Sequence, residues 1–252
     1  MRVTHATPGA LYANTQNRDW EVDSKIPENW RSKGCIDIAT QLVESDIGKK
    51  INLIFGGGKR SFVPKSEGGK RLDGKNLIDT WKQIKQSSGQ NFDVLFNSDD
   101  LDAWTHTDYA LGLFSNSGFN YTLERDNTQP SLEMMLKQAI KSLNKNPNGF
   151  FLMLEAGLID YSHHANLPKS AFEETLELEK AVQAALDMTD EEETLIVVTG
   201  DHSHAFTING YPDRGNSILG NSYQLTNVNK QLPIFRLLQG MFMKKSLGHC
   251  GQ

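Results

Sequence analysis

The chain has 252 residues, 38% of them hydrophobic and 23% charged, enough for one large domain and too ordinary for a disordered, collagen-like or disulfide-framework protein. Its 26 basic and 31 acidic residues leave a formal net charge of -5 with no block of five like charges. That excludes a polyphosphate-binding arm, a basic membrane patch and nucleic acid as a partner.

The apolar stretches 150–154 and 195–198 fall far short of the roughly 18 residues that suggest a membrane span, and both are expected as buried strands. Both ends are polar, so no secretory signal or lipid-anchor tail is read, and the chain taken literally stays in the cytosol. Cys35 and Cys250 allow at most one internal bridge and, so far apart, form no metal motif. In chain order, a strand is expected over 51–55, a helix over 77–86 after Asp73, a strand over 93–96 and a helix over 132–143. A strand over 149–154, a helix over 168–188 opened by Pro168 and a β-branched buried strand over 194–199 complete the alternation. In the long helix, Phe172, Leu176, Val182 and Leu186 share one apolar face, and the opposite, acidic face is expected to be solvated. Such alternation implies an α/β fold, a mostly parallel sheet covered by helices, with chemistry just past the carboxyl ends of the strands.

Three segments concentrate the chemistry. In LMLEAGLIDYSHH, residues 152–164, the expected strand is followed by Glu155, Asp160, His163 and His164. If this segment turns helically, Asp160 and His164, four apart, reach a single cation from one face; such a pair is also common as a surface pair or a cap. In VVTGDHSHAF, residues 197–206, Asp201, His202 and His204 follow the β-branched run at once, and can grip one metal or each turn to a different one. Near the start, His5, Thr7 and Arg18 offer an imidazole, a hard oxygen suited to magnesium and a planar fork suited to two phosphate oxygens. Five of the seven histidines fall in these three segments, which points to a binuclear metal site.

The segments, in this order, resemble the metal-dependent alkaline phosphatases, especially the animal ones. NRDW at 17–20, GCIDIATQL at 34–42, FGGGKR at 55–60, RLDGKNL at 71–77 and GYPDRGNSILG at 210–220 carry the resemblance further. It implies a mostly parallel central sheet with helices on both faces, a partial domain over 1–240 and an unmatched tail over 241–252. It also implies hydrolysis of phosphate monoesters at a site with two zinc ions and one magnesium ion, through a phosphoserine intermediate.

Motif by motif, Asp160 and His164 resemble ligands of the zinc that activates water, and Asp201 and His202 ligands of the zinc that activates the serine. Glu155 and Thr7 match magnesium ligands, and Arg18 matches the arginine that holds the phosphate. His5 and His204 match positions just behind the ligands. The family's serine lies upstream of the segment that begins here at Arg2, and its last zinc histidine stands in surroundings that His249 does not share. The 252-residue chain is therefore expected to turn over aryl phosphates negligibly. The alternative reading is an inactive truncated isoform or pseudoenzyme that binds metal or a full-length partner; a phosphodiesterase or sulfatase fits Arg18 in its NRDW setting less well. By the same resemblance the complete family member is a homodimer, extracellular or held at the cell surface by a GPI anchor.

Overall fold

A computed structural model describes residues 1–205 together with Arg214, Gly215, Ser217 and Leu219. The expected tail over 241–252, His249 and most of GYPDRGNSILG lie outside the described residues. The helices in chain order are α1 (Ala6–Tyr12), α2 (Glu28–Arg31), α3 (Ile38–Glu44), α4 (Leu77–Ser87), α5 (Ser98–Asp102), α6 (Leu132–Leu143), α7 (Leu158–His164) and α8 (Pro168–Met188). The strands are β1 (Leu53–Gly57), β2 (Phe92–Leu95) and β3 (Tyr109–Ser115).

Side chains that compete with the backbone for hydrogen bonds start several of the helices. Asp37, Asn76, Asn97 and Ser131 each accept from a main-chain N–H of the first turn of α3, α4, α5 and α6. Asp37 does more, because its carboxylate also receives the buried Arg71 guanidinium at 3.1 Å through both terminal nitrogens. Arg71 reaches Thr40 and Asp73 as well, so a fully buried cation is matched to two carboxylates and a hydroxyl.

The sheet is parallel, in the order β1-β3-β2, with Leu53 beside Ala110 and Phe92 beside Tyr109. The sequence reading missed β3, the strand both others pair with. Its glycine is required by space: a Cβ at Gly112 would stand 2.4 Å from the Phe114 ring and 2.8 Å from that of Phe55. Alternation along the strands then splits the core. Ile54, Leu111 and Leu113 pack with Leu42, Leu77 and Trp81, on the side of α3 and α4. Leu53, Phe55, Ala110 and Phe114 pack with Leu101, Trp104 and Met135, on the side of α5 and α6. Helices thus cover both faces, as expected.

Two expected strands do not form. Residues 149–154 and 194–199 carry no strand, and Phe151, Leu195, Val197 and Val198 are exposed rather than buried. β-branched residues suit a sheet, but a strand exists only through pairing, and the described strands pair with one another.

The expected orientation of α8 is reversed. Phe172, Leu176 and Leu186 are exposed, while Ala171, Glu174, Glu177, Ala181 and Ala184 are buried. Leu132, Leu136 and Ile140 of α6 supply the bulk of that contact, so α8 meets them with alanines. The two buried glutamates are not solvated, as had been expected, but bonded. Glu174 accepts from the Thr122 N–H at 2.6 Å; Glu177 accepts from Arg125 at 2.6 Å and from the Leu132 N–H at 2.9 Å.

A cavity of about 460 Å3 lies between β1 and the segment leading to α7, lined by Leu53, Phe55, Leu136, Leu143, Leu152 and Leu154 among others. No described helix is long and apolar enough to cross a membrane.

Candidate metal centre

The start of the chain is brought to the carboxyl end of β1. Gly57 N–H donates to the Met1 carbonyl at 2.8 Å and Val3 N–H to the Gly57 carbonyl at 3.0 Å. This places His5 at the head of α1, where its Nε2 lies 3.4 Å from the Tyr161 hydroxyl of α7. Burial pulls the His5 imidazole below its ordinary pKa, and the Arg2 and Arg18 charges act in the same direction. His5 Nδ1 is buried without a hydrogen-bond partner.

α7 is the helical turn on which the sequence argument depended. Asp160 stands in its first turn and His163 and His164 in its last, the polarity that the helix dipole favours. Asp160, His163 and His164 occupy i, i+3 and i+4, so they share one face. The segment after residue 199 folds back onto that face. His204 Nε2 lies 2.8 Å from Asp160 Oδ1, His164 Nε2 at 3.4 Å and His202 Nε2 at 3.6 Å. His202 Nε2 is also 3.4 Å from Asp201 Oδ2, so it stands between two carboxylates.

Asp160, His164 and His204 offer donor atoms that all lie within 4.8 Å of one another, the only such group of three or more among the described His, Cys, Asp and Glu residues. Bonds of about 2.0–2.2 Å around a tetrahedral zinc separate its donors by about 3.4 Å. The His164 spacing to Asp160 and the His202 spacing to Asp201, both 3.4 Å, match that separation, whereas the His204 spacing to Asp160 is that of a hydrogen bond. Carboxylate oxygen and imidazole nitrogen are donors that zinc takes, so the residues present fit that ion.

The other expected residues stand outside this group. Glu155 is half-buried. Thr7 and Arg18 are exposed, as is Asp201. The cavity beside β1 stops short of the cluster: neither Asp160 nor any of the four histidines lines it. The sequence reading named His163 without a role and did not pair His5 with Tyr161. The i, i+3, i+4 spacing of Asp160, His163 and His164 was the available sign for the first.

Comparison with known proteins gives this geometry a setting. The family model described as alkaline phosphatase matches residues 1–245. The chain belongs to the alkaline phosphatase family. It is 42% identical over 252 residues to the human alkaline phosphatase, tissue-nonspecific isozyme, covering 95% of this chain and 48% of that protein. It is 42% identical over 229 residues to the membrane-bound alkaline phosphatase of Bombyx mori, covering 87% of this chain and 42% of that one. The chain thus spans about half the length of the curated relatives it matches. Among solved structures, the alkaline phosphatase of Thermus thermophilus aligns with a TM-score of 0.57 at 26% identity, over 73% of this chain and 33% of that one. That of the Antarctic bacterium TAB5 aligns with a TM-score of 0.54 at 24% identity, over 74% and 46%, and shares the fold. A variant of the TAB5 enzyme was solved with Mg bound.

Proposed function

We propose that this chain carries the metal-binding part of a phosphate-monoester hydrolase that releases an alcohol and inorganic phosphate. The convergence of His164, His202 and His204 on the Asp160 carboxylate carries this reading. Asp160 and His164 would hold one zinc and Asp201 and His202 a second, with His202 set between the two carboxylates. Glu155 and Thr7 would hold magnesium with oxygen donors, and Arg18 would grip two phosphate oxygens. His5 and His204 stand behind the ligands; His204 Nε2–H donates to Asp160 and so fixes its carboxylate. When bound, such ions neutralise charge on the attacking and leaving oxygens of an in-line phosphoryl transfer. The protein's part is to position and to neutralise, and Arg18 is the residue suited to both. No residue of this chain is proposed as the nucleophilic serine that would form the phosphoserine. The substrates would be small phosphate monoesters. A homodimer at the cell surface is part of the same reading; for the surface, though not for the dimer, the Bombyx mori relative named membrane-bound speaks in favour.

The 252-residue chain should take up zinc in a calorimetric titration, and Asp160→Asn should weaken that uptake at least tenfold. Wild type that binds no zinc, or Asp160→Asn that binds as well, would sink the assignment. The inactive alternative is separated by loading the chain with zinc and magnesium and following release of phosphate from an aryl monoester. Negligible release with intact zinc uptake favours a binding chain; release abolished by a chelator favours the enzyme.

A further inference from the structure

The segment that delivers His204 has little of its own to hold it. Residues 194–205 carry no regular secondary structure, and Leu195, Val197, Asp201, His202 and Ser203 are exposed. The ring of His204 is nevertheless the least exposed imidazole of those on Asp160, with 19% of its side chain accessible against 49% for His164 and 53% for His202. What encloses it is a set of rings. His163 lies parallel to His204, with centroids 4.8 Å apart and planes inclined by 15°. His164 and His202 meet it edge-on at 5.0 and 5.2 Å. Of these, His163 is fixed independently of any metal: its Nδ1 donates to the Ile159 carbonyl at 2.7 Å, within the same helix. That bond sets the tautomer and the plane of the His163 ring, because a carbonyl can only accept.

We propose that His163 is a positioning residue: its ring, anchored to α7 through Ile159, stacks on His204 and holds His204 Nε2 against Asp160. It touches neither the metal nor the substrate in this role. The helix thereby supplies both the carboxylate and the surface that aligns the carboxylate's partner, which an unpaired extended segment cannot align for itself. The proposal rests on the reading of Asp160 as a metal ligand only for its functional consequence; the stack itself is made by protein groups alone. A stacked aromatic pair contributes about a two- to tenfold effect, so the expected change is modest and specific.

The test uses the 252-residue chain with Co2+ as the probe, followed by its visible absorption, in wild type, His163→Ala and His163→Phe. His163→Ala is expected to weaken Co2+ binding about two- to tenfold, and His163→Phe, which keeps a ring but no nitrogen, to bind within about twofold of wild type. If His163→Ala binds unchanged, or His163→Phe is as weak as His163→Ala, the stacking role is wrong. Proton NMR of the metal-free proteins supplies a second reading. The His204 ring protons should be shifted upfield in wild type and His163→Phe and released in His163→Ala; no movement overturns the stack. A wild-type chain that takes up no Co2+ sinks the metal reading instead, and the NMR comparison then decides the stack alone.

Discussion

Lys85 of α4 is wholly buried, yet it carries an amine. Its Nζ donates to the Lys49 carbonyl at 2.6 Å and lies 3.5 Å from the centre of the Tyr109 ring. Burial lowers its pKa from 10.5 to about 8. Below about pH 8 the folded and unfolded chains both hold this proton, and the cost of burying the charge is present in full. As pH rises towards 10.5 the folded chain has released the proton while the unfolded chain still holds it, so stability rises through that window. The gain should reach up to roughly 3 kcal/mol. Thermal melts of wild type and Lys85→Met between those two pH values should diverge, with wild type gaining and the variant flat; parallel curves would refute the argument. Nothing in the local sequence distinguishes Lys85 from the solvated lysines around it. Asp160 and His164, by contrast, were readable, since helical spacing alone places them on one face. His204 was placed near them by resemblance alone, and its Nε2 lies 2.8 Å from Asp160 Oδ1.

At the scale of elements, α8 shows why extent and orientation are different problems. Its bounds follow from Pro168 at one end and the change of pattern at the other, and the observed Pro168–Met188 agrees with them. Which side faces inward depends on the partner. α6 brings Leu132, Leu136 and Ile140 to the contact, so alanines fit there and Phe172 and Leu176 are left outside. Glu177 ties three elements together, joining α8 to Arg125 and to the first N–H of α6. Glu177→Gln should cost about 2 kcal/mol in urea titrations, because it strands the Arg125 charge and weakens a buried acceptor. Phe172→Ser should cost less than about 0.5 kcal/mol, as an exposed substitution does. The opposite ranking would restore the apolar face as the core. β3 escaped the sequence reading for a related reason: Gly112 and the polar run after Ser115 look like turn residues until the rings of Phe55 and Phe114 explain them.

For the whole molecule, the described residues leave apolar surface uncovered. Leu195 is 88% exposed, Val197 72% and Phe151 83%, and apolar side chains such as Leu53, Phe55, Leu152 and Leu154 line the cavity beside β1. Extended apolar segments left exposed invite association between copies. Light scattering of the purified chain should therefore show mass rising with concentration, and Leu195→Lys with Val197→Lys should lower it without lowering the melting temperature. A wild-type chain that stays monodisperse at high concentration would contradict this. The α/β class, the parallel sheet and the two covered faces were readable, because alternating strands and helices pack that way, although β3 and α5 were not foreseen. Whether 149–154 and 194–199 become strands was not, because that is decided by neighbours. The sheet order has a further consequence, for folding rather than for the folded state. Leu53 pairs with Ala110 and Phe92 with Tyr109, and β1 and β2 are not neighbours in the sheet, so among the described strands neither outer one has a strand partner until β3 is in place, β1 keeping only the Met1 and Val3 bonds to Gly57. The first half of the chain cannot begin its sheet early and extend it. Amide protons of β1 and β2 should acquire protection in a single phase during refolding, on the slow side for a chain with helices, because the closure that admits one admits both.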